Sequence, residues 1–212
     1  ASDHYDKAEL KVVACYEKDG KDGKSWQGSW SDKELQNHFK ELKIASSFTG
    51  ARGDIVTFTA PAGETVMVVG LGEKKSAKAE QLRRAIANAT KAFAGKKYAS
   101  VAIDALSFNC VNDKGQAAAL IVEALELTSY KFDKYFSEKN ENSFKKVCVF
   151  VDDKKAKRAV EKAVEETQNV TASVNYARDL VNEAPNVLHS EGYAKEIEKD
   201  VKKNLKGVKI KV

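Results

Sequence analysis

The spacing of apolar and polar positions divides the chain into a strand-and-helix block, a long helical stretch and a short tail. Residues 8–17 (AELKVVACYE) form an apolar run of strand length, rich in β-branched side chains. A polar loop over 18–31 follows and carries Trp26 and Trp30. Ser31-Asp32-Lys33-Glu34 has the capping-box pattern and predicts a short helix to about Lys43. Residues 53–60 alternate and 65–71 are continuously apolar, with a Pro61-Ala62-Gly63-Glu64 turn between them, so a hairpin is expected. Ser76 is placed to cap a helix over 77–94, where Leu82, Ile86, Ala89 and Phe93 recur at helical spacing. Residues 99–106 predict a strand, Asp113 and Gln116 open a helix through Leu127, and 146–151 give the last strand of the block.

Alternating strands and helices with short connections predict an α/β domain, and the hairpin makes its sheet mixed rather than all-parallel, flanked by helices. From Asp153 to Asn182 runs one helical pattern without Gly or Pro, in which Val160, Val164, Val170, Val174, Ala177 and Val181 make a single apolar stripe. Its about 28 residues would span roughly 40 Å, a length that suits a connector. Pro185 stops it, Ser190 caps a second helix to about Leu205, and 208–212 (VKIKV) predict a final strand. A strand directly after a helix is the first half of a βαβ unit, so a cut inside a second domain is expected. The expected division is therefore 1–151, 152–182 and 183–212.

The 212 residues are 42% hydrophobic and 32% charged, as in a soluble globular protein. No stretch approaches the roughly 18–20 apolar residues of a membrane span, and the polar start ASDHYD is no secretory signal. Cys15, Cys110 and Cys148 are far apart and odd in number, which predicts reduced thiols and a cytoplasmic setting. The net charge of +5 invites a nucleic-acid reading. Only five of the 36 basic residues are arginine, however (Arg52, Arg83, Arg84, Arg158 and Arg178), and the lysines are interspersed with acids. A solvated Lys/Glu surface is the better account, and nucleic acid is not an expected partner.

Candidate chemistry is sparse. Gly70-Leu71-Gly72 ends a strand before a helix but lacks the third glycine of a dinucleotide fingerprint, so a tight turn is expected. Gly95-Lys96 falls where a helix ends and reads as a glycine C-cap. His4, His38 and His189 have no further His or Cys at metal-ligand spacing, and structural or solvent roles are expected. Asp152 and Asp153, adjacent at a helix start, suit the helix dipole better than a catalytic dyad. Trp26 and Trp30 could stack on bases but, without neighbouring arginines, read as packing or an oligomer contact. No catalytic, cofactor-binding or metal-ligating residue is expected in residues 1–212.

The segment Asn175-Tyr176-Ala177-Arg178-Asp179-Leu180-Val181-Asn182-Glu183-Ala184-Pro185-Asn186-Val187-Leu188 closely resembles the stretch leading into the catalytic domain of M17 leucyl aminopeptidases. Val68-Val69-Gly70-Leu71-Gly72, Leu82-Arg83-Arg84-Ala85 and Tyr130-Lys131-Phe132-Asp133-Lys134-Tyr135 resemble further family elements in the right order upstream. Glu183-Ala184 and His189-Ser190 depart from the common Thr-Pro at both places. The resemblance implies a macrodomain-like N-terminal domain, a linker helix over 152–182 and the truncated start of a peptidase domain at 183–212. It also implies a parent that is a homohexameric, cytoplasmic exopeptidase releasing N-terminal residues from peptides with two divalent ions, zinc, manganese or magnesium. The family's metal-binding segments, Gly-Lys-Gly-x-x-Phe-Asp and Asn-Thr-Asp-Ala-Glu-Gly-Arg, do not occur here, so no cofactor is expected in this chain and its own role would be architecture, oligomerisation or access control. Some bacterial members bind DNA through this domain, to which the dispersed lysines lend little support. The alternative reading is a macrodomain-like binding module for ADP-ribose or nucleic acid. In either case the apolar residues Tyr193, Ile197 and Val201 would need a partner surface or remain disordered.

Overall fold

The side-chain alternation of β1 (Leu10–Gly20) sets the layering. Leu10, Val12, Ala14 and Tyr16 enter one core and Val13 and Cys15 the other, so the strand is covered on both sides. The computed structural model describes residues 5–20, 23–96, 98–138, 144–152, 155–205, 207–208 and 210–211. Its sheet has six strands in the order β3-β4-β1-β5-β6, with β2 paired to β1 beside that path. The partners are β2 (Gly23–Gln27), β3 (Ile55–Thr59), β4 (Thr65–Glu73), β5 (Ser100–Asp104) and β6 (Lys146–Phe150). β1, β4, β5 and β6 run parallel, in a register that sets Val13 beside Val68, Val12 beside Ile103 and Ile103 beside Val149. β3 and β2 are antiparallel to their neighbours. The mixed α/β architecture expected from the sequence is the one observed.

One face carries α3 (Ala79–Ala94) and α4 (Lys114–Ser129), whose Leu82, Ile86, Ala89, Phe93, Leu120 and Ile121 bury against β1, β4 and β5. Burying a side chain of that size contributes about 1.5–3 kcal/mol. The other face carries α1 (Lys33–Glu41) and the short α2 (Lys43–Ser47), with Leu35, Phe39 and Phe48 packed on Phe58, Val66 and Val68. Asp113 caps α4 as expected, its carboxylate accepting from the Gln116 N–H at 2.6 Å.

Several local expectations are corrected. The predicted loop 18–31 contains β2, which closes a hairpin on β1. Asp32, not Ser31, caps α1 by accepting from the Leu35 N–H, because the Ser31 hydroxyl is drawn to Asp104 across the sheet. Ser76 does not cap α3: it lies in the preceding turn, where its hydroxyl donates to the Glu73 carbonyl, and Lys78 takes the cap position. Ser190 is the first residue of α6 (Ser190–Asn204), and His189 holds the cap position. In the predicted strand 208–212, Val208, Ile210 and Lys211 are in no strand, and residues 209 and 212 lie outside those described. A strand needs a ladder partner for its N–H and C=O groups, and this segment has none among the described residues.

Two compact units emerge, Ala1–Thr171 and Ala172–Val212, and the division falls inside α5 (Lys157–Asn182). The first holds the sheet, the cores on its two faces and a small third cluster of Tyr5, Ala8 and Ala102. The second holds the end of α5, α6 and the segment after it.

Candidate functional site

Gly70-Leu71-Gly72 lies within β4 rather than at a strand-to-helix turn. The Gly70 N–H donates to the Asp54 carbonyl at 2.8 Å and the Gly72 N–H to that of Gly50 at 2.9 Å. A Cβ on Gly70 would collide with the Ala51 carbonyl oxygen, and Gly72 has φ +75°. These glycines therefore let the 50–54 loop lie directly on the strand end, a requirement of close backbone approach. Gly95 holds the C-cap of α3, as expected.

Two polar clusters sit on the α1 face of the sheet. Asp104, 0% exposed at the end of β5, accepts from the Ser31 N–H (2.7 Å), the Ser31 hydroxyl (2.6 Å) and the Leu106 N–H (3.1 Å). Burial raises its carboxyl above the ordinary range, and the hydrogen bonds from Ser31 and Leu106 oppose that rise. Lys11, 4% exposed near the start of β1, donates to Glu64 at 2.9 Å and lies 5.0 Å from the Tyr5 ring centre. For Glu64 burial pushes upward, but the hydrogen bond and charge of Lys11 prevail and hold it below the usual carboxylate range. Both clusters pin the entrance of α1 and the 61–64 turn to the sheet. Neither was legible in the sequence, since Lys11 and Asp104 stand inside apolar runs and their partners lie 53 and 73 residues away. The signal available was the polar residue inside a buried-strand pattern.

His38 is half-buried with its ring 6.0 Å from that of Phe58, His189 holds the cap position of α6, and His4 lies outside the described residues. Asp152 is exposed and precedes the start of α5, and Asp153 lies outside the described residues. All three cysteines are free, and burial pushes the Cys15 thiol up to about 12. Trp26, Trp30 and Phe39 pack together at 5.0–6.1 Å between ring centres, and the Trp30 indole N–H donates to the Ala14 carbonyl, so the packing role holds for both tryptophans. Among the described residues no group of three His, Cys, Asp or Glu could hold a metal ion. The donor set of a two-metal centre does not fit them, and no catalytic step is assigned to these side chains.

What the described residues do build is an anchored arm. Glu126 of α4 accepts from Gln168 Nε2 at 3.1 Å and from the Thr171 hydroxyl, both on α5. Thr171 is 1% exposed and is the buried residue of that helix. Below it Val160 and Val164 face Val122, Leu125, Val147 and Val149 around an open groove of about 350 Å³. In the second unit Gly192 lets α6 approach the Val187 carbonyl closely, yet α6 buries no residue at all.

Residues 12–139 match the sequence family described as "Cytosol aminopeptidase family, N-terminal domain". The chain is 30% identical over 173 residues to a probable cytosol aminopeptidase of Clostridium perfringens, covering 78% of this chain and 34% of that protein. A probable cytosol aminopeptidase of Streptomyces avermitilis is 34% identical over 179 residues, covering 77% and 33%. The chain thus spans about a third of the length of these relatives. Among solved structures, a mutant tomato leucine aminopeptidase aligns with a TM-score of 0.69 at 20% identity, over 92% of this chain and 39% of the other. The bottromycin maturation enzyme BotP, which has also been solved in complex with Mn, aligns with a TM-score of 0.68 at 21% identity, over 92% and 37%.

Proposed function

Because the chain belongs to the cytosol aminopeptidase family, whose N-terminal domain it carries, we propose that it is the non-catalytic portion of a two-metal leucyl aminopeptidase that releases N-terminal residues from peptides. In this reading residues 1–151 are the N-terminal domain, 152–182 the linker helix and 183–212 the start of the peptidase domain. The parent is a hydrolase of the cytoplasm, assembled as a homohexamer, and its zinc, manganese or magnesium ions are held by residues outside 1–212. The partners of this portion are its own C-terminal peptidase domain and further subunits, and neither nucleic acid nor a membrane is among them. No helix among the described residues is long and apolar enough to cross a membrane.

The observation that carries the reading is the contrast between the two units. The first unit closes its apolar cores, whereas α6 buries nothing, and Val187, Tyr193, Leu205 and Val208 are all exposed. A segment with an unburied apolar face suits an element whose partner surface belongs to another part of the same protein. The purified 212-residue chain, supplied with Mn²⁺ or Zn²⁺, is expected to show no hydrolysis of leucyl p-nitroanilide above the metal-only rate. Turnover that co-purifies with the chain and survives removal of contaminating peptidases would overturn the assignment.

A further inference from the structure

Arginine is scarce in this chain, yet two of its five arginines line one small cleft. The cleft, about 230 Å³, lies where the 50–54 loop meets the end of β4 and the flank of α3, and is lined by Arg52, Gly53, Gly70, Gln81, Arg84 and Asn88. No carboxylate lines it among the described residues. The glycines of β4 are what create it: by admitting the loop onto the strand end they carry Arg52 across Gly72, with its stem directly over that residue. Ser76 accepts one Arg52 Nη–H at 2.9 Å and Glu80 accepts the Arg84 Nε–H at 2.8 Å. A guanidinium has five N–H groups, so each arginine retains donors for a ligand. The amides of Gln81 and Asn88 add neutral donors, and the connector after β4 adds Lys74, Lys75 and Lys78 nearby in sequence. The cleft also opens at the carboxyl end of a parallel strand, where open α/β sheets hold ligands.

We propose that this cleft binds a small phosphorylated anion of pyrophosphate size, held between the guanidinium groups of Arg52 and Arg84. Planar guanidinium forks on two residues lining one cavity suit the tetrahedral oxygens of phosphoryl groups, which a scattered lysine surface does not. Gly70 and Gly72 serve the site by position, keeping the loop seated so that Arg52 reaches it.

Calorimetric titration of the 212-residue chain with pyrophosphate at about 0.15 M salt tests the site, with ADP as a second arm. The expected result is saturable binding of one anion per chain. Arg84→Gln, on an exposed helix face, and Arg52→Gln should each weaken it at least tenfold, whereas Arg158→Gln, remote on α5, should leave it unchanged. Tighter binding of ADP than of pyrophosphate assigns a nucleotide as the source, and equal binding assigns phosphate groups alone; both outcomes sustain the site. Arg52→Lys separates the fork from the charge, since full retention of binding by lysine would overturn the guanidinium geometry. Absence of saturable binding by the wild-type chain, or equal losses in all three glutamine variants, would overturn the proposal.

Discussion

Asp104 ends β5 without solvent exposure, and three donors converge on its two oxygens. Asp104→Ala leaves the Ser31 and Leu106 N–H groups without their acceptor, and should lower stability by about 1–3 kcal/mol in urea unfolding. Its titration gives a second readout. Burial raises the folded-state carboxyl above the ordinary range, so the folded chain binds this proton more tightly than the unfolded chain. The stabilising contribution is then complete below about pH 4 and is lost as pH rises through the raised value. In Asp104→Asn that loss disappears, so melting temperature should depend less on pH in the window above pH 4 than in the parent chain. An unchanged pH profile in that variant would assign the slope to other groups. Ser31 illustrates why such a contact is hard to read from sequence. Its neighbours form a capping-box pattern, but its hydroxyl donates to a buried carboxylate 73 residues away, and the N–H donors of the helix end are met by Asp32 instead.

At the scale of elements, helices with strong periodicity and strands with long apolar runs were legible within a few residues at each end. β1, β4, α3, α4 and α5 all appear where their patterns predict them. β2 was not legible, because five residues of mixed polarity (GKSWQ) become a strand only through pairing with the extended end of β1. The clip between α4 and α5 was equally invisible, since Glu126, Gln168 and Thr171 look like ordinary helix-surface residues until the two helices meet. Glu126→Ala should release α5 without unfolding the domain. Backbone amide exchange over residues 160–171 should accelerate about tenfold or more while β1 and β4 keep their protection. Exchange that rises equally across the sheet would instead make Glu126 a core residue of the whole domain.

For the whole molecule, the first unit resembles a finished domain and the second does not. Within Ala172–Val212, Val181 is 85% exposed, and Val187, Tyr193, Leu205 and Val208 are exposed as well. Surface of this kind either acquires a partner or opens readily. The isolated chain should self-associate as its concentration rises from about 5 to 200 μM in sedimentation velocity, or its α6 amides should exchange almost unprotected. Sedimentation independent of concentration together with strong protection of residues 190–204 would contradict both branches.

The sequence by itself determined the fold class, the order of the principal elements and the family, because period-two and period-3.6 apolar patterns and a contiguous 14-residue motif are local properties of the chain. Tertiary structure decided what depends on distant residues meeting: the burial of Lys11 and Asp104, the displaced caps at Ser31 and Ser76, the Glu126 clip and the joining of Arg52 to Arg84. The Gly70-Leu71-Gly72 strand end shows the boundary clearly. Its glycines were visible from the start, but the backbone they accommodate arrives from residues 50–54, and only the folded sheet brings that loop within reach.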